Sequence, residues 1–108
     1  MPSELRKILF DPGEIKGAMF SFCMRAKIYV PESGIQDIKL QKDPERTVVL
    51  IFGSDNPGET TEVPLSHDQV TIALIRFCIE HKIPLPKKAQ KVIKLEKPGI
   101  AMMISHKC

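Results

Sequence analysis

The chain has no tryptophan, a single tyrosine and three cysteines among 108 residues. An odd set of cysteines (Cys23, Cys78 and Cys108) with no Cys-x-x-Cys spacing does not make a disulfide framework. A chain of this length needs none, because one core can bury about two thirds of its unfolded surface. No apolar run approaches the ~18 residues of a membrane span, and the opening Met-Pro-Ser-Glu-Leu-Arg-Lys lacks the apolar stretch of a secretory signal. A cytoplasmic location, reduced thiols and no membrane partner are the expectations.

The motifs of catalysis are also missing. There is no Ser-His-Asp or Cys-His-Asn order, no HExxH, no GxGxxG and no GxxxxGK(S/T). His67, His81 and His106 are scattered, and His81 stands three residues from Cys78 without a second ligand pair at zinc-like spacing. No catalytic residue, metal site or cofactor is therefore expected, and the chain reads as a non-enzyme. Cys23 and Cys78 read as small buried hydrophobes.

What the sequence does contain is a repeat. Shifted by 55 places, Phe22-Cys23 falls on Phe77-Cys78, Lys27-Ile28 on Lys82-Ile83, Pro31 on Pro86, Ile38-Lys39-Leu40 on Ile93-Lys94-Leu95 and Lys42 on Lys97. These are nine identities in 24 pairs over 20–43 against 75–98, where ordinary composition gives about one or two. A two-residue gap near Pro44-Glu45 brings Val48–Ile51 onto Ala101–Ile104. The chain thus reads as one domain over 1–108, made of units at about 5–53 and 59–106 joined by a hairpin turn at 53–58.

Each unit reads as strand, long helix, short helix, strand. Asp11-Pro12 and Ser66 with Gln69 mark the starts of the long helices as N-caps, the latter at capping-box spacing. Ile15, Ala18, Met19, Phe22 and Cys23 make one apolar stripe, as do Val70, Ala73, Leu74, Phe77 and Cys78. Second stripes at Gly17, Phe20, Met24 and at Ile72, Ile75, Ile79 predict helices covered on more than one side, by the sister helix or another subunit. Short second helices are expected at about 31–39 and 86–95. Thr47–Phe52 and Ile100–Ile104 are continuous apolar runs suited to covered strands. The fold expected is α+β, with two βααβ units related by a pseudo-twofold and sharing one mainly antiparallel sheet packed with helices.

Charge is unevenly placed. The formal net charge is only +3, but residues 82–97 carry six lysines against Glu96. On a helix over 86–95, Lys87, Lys88, Lys91 and Lys94 would share one face, flanked by Lys82 and Lys97. Such a face could meet phosphates or an acidic partner with salt-sensitive affinity. The first-unit counterparts are Glu32, Ser33, Gln36 and Lys39, so the face is not duplicated. Lysine without arginine suits phosphate contact better than base reading.

The strand-helix-helix-strand order resembles the KH module in topology alone, and the two-helix segment is similar to winged helices. The GxxG that clamps RNA in KH modules is replaced by Tyr29-Val30-Pro31-Glu32-Ser33-Gly34 and Pro84-Leu85-Pro86-Lys87-Lys88-Ala89, so that function does not carry over. The expected role is a protein-interaction or self-associating module, including a homodimer. The alternative is a nucleic-acid-binding module using Lys82, Lys87, Lys88, Lys91, Lys94 and Lys97.

Overall fold

A computed structural model describes residues 3–31, 34–53 and 58–107. Along the chain run β1 (Ser3–Phe10), α1 (Pro12–Arg25), β2 (Ile35–Leu40), β3 (Val48–Gly53), β4 (Thr60–Leu65), α2 (His67–Glu80), β5 (Gln90–Glu96) and β6 (Gly99–Lys107). The fold is α+β: two helices and two antiparallel three-stranded sheets, ordered β1-β6-β5 and β2-β3-β4.

Two expectations are corrected. The single shared sheet is two sheets, and the short second helices are the strands β2 and β5, so the order is βαββ and the KH topology falls away. A run as short as Gln90–Glu96 fits either period: Ala89, Val92 and Ile93 trace a helical stripe, while Ile93 and Leu95 also alternate with Val92, Lys94 and Glu96. An isolated helix of this length is marginal in water. As a strand it pairs along its whole length with β6, burying Ile93 and leaving Lys94 and Glu96 outside.

The pairing crosses between the halves of the chain. β1, which precedes α1, pairs with β6, which follows α2, placing Phe10 opposite Ile100 and Ile8 opposite Met102. β4, which precedes α2, pairs with β3, which follows α1, placing Leu65 opposite Val48 and Val63 opposite Leu50. The expected hairpin between β3 and β4 is present, although residues 54–57 of its turn lie outside the described residues. Leu40 lies opposite Val48 and Leu95 opposite Ile100.

Both helices start on the expected caps, Asp11 and Ser66; Ser66 closes the expected box with Gln69, and Asp11 closes a second one with Glu14. Both stop the same way, earlier than the prolines. Lys27 and Lys82 take left-handed φ of 58° and 57°. The N–H groups of Ile28 and Ile83 then reach back to the carbonyls of Cys23 and Cys78 at 2.9 and 2.8 Å, the long bond of a Schellman ending.

The main helical stripes enter one core with Phe10, Val48, Leu50, Phe52, Leu65, Ile100, Met102 and Ile104. α1 meets α2 and reaches strands of both sheets. Ala18, Ser21, Phe22, Ala73, Arg76 and Phe77 line the seam between the helices, with the Arg76 guanidinium 5.9 Å from the Phe22 ring. The sister helix thus covers one flank of each. Of the second stripes, Ile75 packs half-buried against the core, while Phe20, Met24, Ile72 and Ile79 are exposed.

Candidate binding surfaces

The six lysines singled out from sequence do not share one face. Lys82 ends α2, and exposed Lys87 and Lys88 lie in the turn before β5. Lys91 and Lys94 are three apart on a strand, so they leave opposite faces. Lys91 turns inward, and its Nζ donates to the carbonyls of Pro86 at 3.0 Å and Ala89 at 3.1 Å, tying down the chain before β5. The same segment is held from the other side by Arg6, whose Nη1 donates to the Pro84 carbonyl at 3.0 Å.

Lys94 and Lys97 stand elsewhere, on the walls of two clefts. The first, of about 370 Å³, runs between Ile93–Leu95 of β5 and the β2–β3 turn, with Gln41, Lys42, Asp43, Pro44, Thr47 and His67 around it. That turn is fixed to the start of α2 by the His67 N–H donating to the Pro44 carbonyl at 2.8 Å. It is braced internally by the Thr47 hydroxyl donating to the Asp43 carbonyl at 2.9 Å. The second cleft, of about 720 Å³, runs between Asp37–Leu40 of β2 and Lys97-Pro98 of the β5–β6 turn, with Pro12 and Gln41 at its ends. Gln41 borders both.

Four lysines therefore gather there: Lys42 and Lys94 on one cleft, Lys39 and Lys97 on the other. Lys39 corresponds to Lys94, and Lys42 to Lys97, in the 55-residue repeat. Sequence reasoning took Lys94 and Lys97 as part of a diverged helix face and passed over Lys39 and Lys42. The signal was present in the repeat itself, where these four positions are identities.

Each sheet also has a face turned away from the core. On β1-β6-β5 it carries Leu5, Lys7 and Leu9 beside Ala101 and Met103 of β6 and Val92 and Lys94 of β5. Leu5 is 69%, Leu9 60% and Val92 40% exposed, which is apolar surface held in water. Lys7 is tied to Glu96 at 2.6 Å. The outward face of β2-β3-β4 has Val49 and Ile51 on its middle strand, but its edge strands bring Thr60, Glu62 and Pro64 on one side and Asp37 and Lys39 on the other. There Glu62 holds Arg46 at 3.3 Å and Lys39 at 3.8 Å.

Cys23 and Cys78 are fully buried free thiols whose pKa is pushed up by loss of solvent; at Cys78 nearby Arg6 pulls the other way. His81 stacks at 4.1 Å on Phe77, which meets Phe10 edge-on. No group of three or more metal-ligating side chains occurs among the described residues, and no helix of the described residues is long and apolar enough to cross a membrane. Cys108 and the side chain of His106 lie outside the described residues.

No family model, no curated protein and no solved structure matches this chain.

Proposed function

We propose that the protein is a non-catalytic, self-associating module of the cytoplasm, built as a single domain from a duplicated βαββ unit. The duplication is supported by features that recur at one spacing: nine identities, two capping boxes and two left-handed lysines at helix ends. It is supported equally by the two ladders, in which Phe10–Ile100 and Leu65–Val48 hold corresponding places. A pseudo-twofold relates the halves, about 5–53 and 59–106, and each half lends its first strand to the other's hairpin.

The observation that carries self-association is the outward face of β1-β6-β5, where Leu5 and Leu9 of β1 and Val92 of β5 lie exposed on the two edge strands, with Ala101 and Met103 of β6 between them. Contiguous apolar surface on a soluble chain marks an interaction site. Its polar counterpart on the other sheet makes this a property of one face, not of the fold. Two copies meeting by this face would form a self-complementary twofold contact, the commonest oligomer geometry.

Sedimentation equilibrium of the whole chain tests the reading. A dimer that becomes monomeric in Leu5→Glu and Leu9→Glu, both exposed enough to leave the core intact, is the expected result. A monomer at every concentration would end it. The nucleic-acid reading has lost its helical platform, since the six lysines divide between the end of α2, the turn before β5, the inward face of β5 where Lys91 stands, and the two clefts. Salt-dependent retention of single-stranded RNA that disappears in a Lys87→Glu, Lys88→Glu variant would restore it.

A further inference from the structure

We propose that the cleft along the free edge of β5 takes an extended, acidic segment of a protein partner, laid beside Ile93–Leu95 as an added strand. β5 is an edge: among the described residues it pairs with β6 alone, and no backbone hydrogen bond joins it to the β2–β3 turn across the cleft. An edge strand presents a row of N–H and C=O groups ready to pair with another chain. Here that row lies in a cleft walled by Gln41, Lys42, Asp43 and Pro44.

The chemistry of the walls selects the occupant. Lys94 rises from the edge strand and Lys42 from the opposing turn, so a strand between them passes two ammonium groups. Asp43, the acidic residue of that wall, has a carboxylate oxygen already accepting the Glu45 N–H at 3.0 Å. Lysines on an edge attract an acidic strand, repel a basic one and lose hydration without compensation against a plain hydrophobic one, which gives the edge specificity while keeping it from pairing at random. No phenylalanine, tyrosine, tryptophan or arginine lines the cleft, and the His67 imidazole alone is a poorer platform than the aromatic rows on which single-strand binders stack successive bases. An extended peptide uses what is present: main-chain groups for affinity and charges for selection. The wider cleft beside β2, with Lys39 and Lys97 in corresponding places, is a second, looser copy of the same arrangement.

This site is separate from the surface assigned to self-association. Lys94 borders both, but Lys42 belongs to the turn and stands off the outward sheet face. Loss of peptide binding in Lys42→Glu with an unchanged solution mass thus tells the two readings apart.

The test uses the full chain and a fluorescein-labelled peptide of alternating Glu and Val, about ten residues long to span one strand at ~3.4 Å per residue. Three companions are measured beside it: the same peptide N-methylated at alternate residues, an all-Lys/Val peptide and a single-stranded oligonucleotide of similar length. The expected result is saturable binding of the acidic peptide at low salt, weakened about tenfold or more by Lys42→Glu, by Lys94→Glu and by N-methylation. Thermal unfolding of both variants should match the parent, since both side chains are exposed. Absence of saturable binding overturns the proposal. So does equal binding of the N-methylated peptide, which would mean charge without strand pairing, indifference to both lysine variants, or tighter binding of the oligonucleotide at the same residues.

Discussion

Arg25 and Glu80 close an ion pair of 2.5 Å across the seam between α1 and α2. They stand 55 residues apart, at the same position in the last turn of two helices that are each 14 residues long. The last position of each helix thus carries the opposite charge to the other, and their contact across the seam is attractive. Both side chains are well exposed, at 55% and 36%, so the pair is screened and its worth is about 0.2–1 kcal/mol. Arg25→Ala and Glu80→Ala should each lower stability by no more than that. The exchanged double variant, Arg25→Glu with Glu80→Arg, should recover most of the loss. A double-mutant cycle in urea at low and high salt measures both, and a coupling indifferent to salt would contradict the assignment.

The helix ends offer a sharper handle. Lys27 and Lys82 occupy left-handed backbone at the position where glycine is usual. A side chain there costs about 1–2 kcal/mol, and glycine gives back part of the relief by loosening the unfolded chain, about 0.4–1 kcal/mol. Lys82→Gly should therefore raise stability by about 0.5 kcal/mol. Lys82→Val should lower it by about 1 kcal/mol or more, since a β-branched residue tolerates this region least. Urea midpoints of the two variants, which move in opposite directions if the Schellman ending holds, decide the matter.

These same lysines show how far the sequence could be read. Lys27-Ile28 and Lys82-Ile83 were visible as a repeated loop signature, and the structure explains them as the stop of each helix: a left-handed residue, then an apolar one whose N–H reaches back. The caps at Asp11 and Ser66 were equally legible, because capping is a local pairing of side chain with backbone three residues on. What could not be read was whatever depends on distant partners. Ile35–Leu40 and Gln90–Glu96 carry both a helical and a strand period, and only pairing with β3 and β6 settles them. The exchange of β1 and β4 between the halves leaves no trace in local pattern. The convergence of Lys39, Lys42, Lys94 and Lys97 on adjoining clefts depends on that exchange.

Gly99 tests the crossed ladder directly. A Cβ there would lie 2.2 Å from the Phe10 carbonyl oxygen and 3.3 Å from its carbon. The obstacle is backbone, at the place where β1 closes on β6 and enters α1 through the Asp11 cap. Gly99→Ala must therefore push the strands apart, at a cost of about 1–3 kcal/mol. Gly17→Ala on α1 is the matched control, with nothing within 4 Å of its added carbon. It should gain rather than lose, by about 0.5–1 kcal/mol from helix propensity. Chemical denaturation of both variants checks the pair, and an unperturbed Gly99→Ala would mean that β1 does not lie where the ladder places it.

The buried thiols should lower stability as pH rises into the alkaline range. Cys23 and Cys78 contact no solvent, and burial raises their pKa because a thiolate in the core would lose its hydration. The unfolded chain titrates these thiols near about 8.5, so above that pH it releases protons that the folded chain retains. With more protons bound in the folded state, stability falls as pH rises. The sign is fixed by the raised folded pKa: the contribution is intact below the unfolded value and is lost progressively above it. Unfolding free energy measured from pH 7 to pH 10 should decline in the parent. It should decline less steeply in Cys23→Ala with Cys78→Ala, although that variant starts lower at neutral pH for want of two packed sulfurs. Identical slopes in both proteins would assign the alkaline loss to other groups. A thiol reagent that labels both cysteines within seconds in the native state would contradict their burial outright.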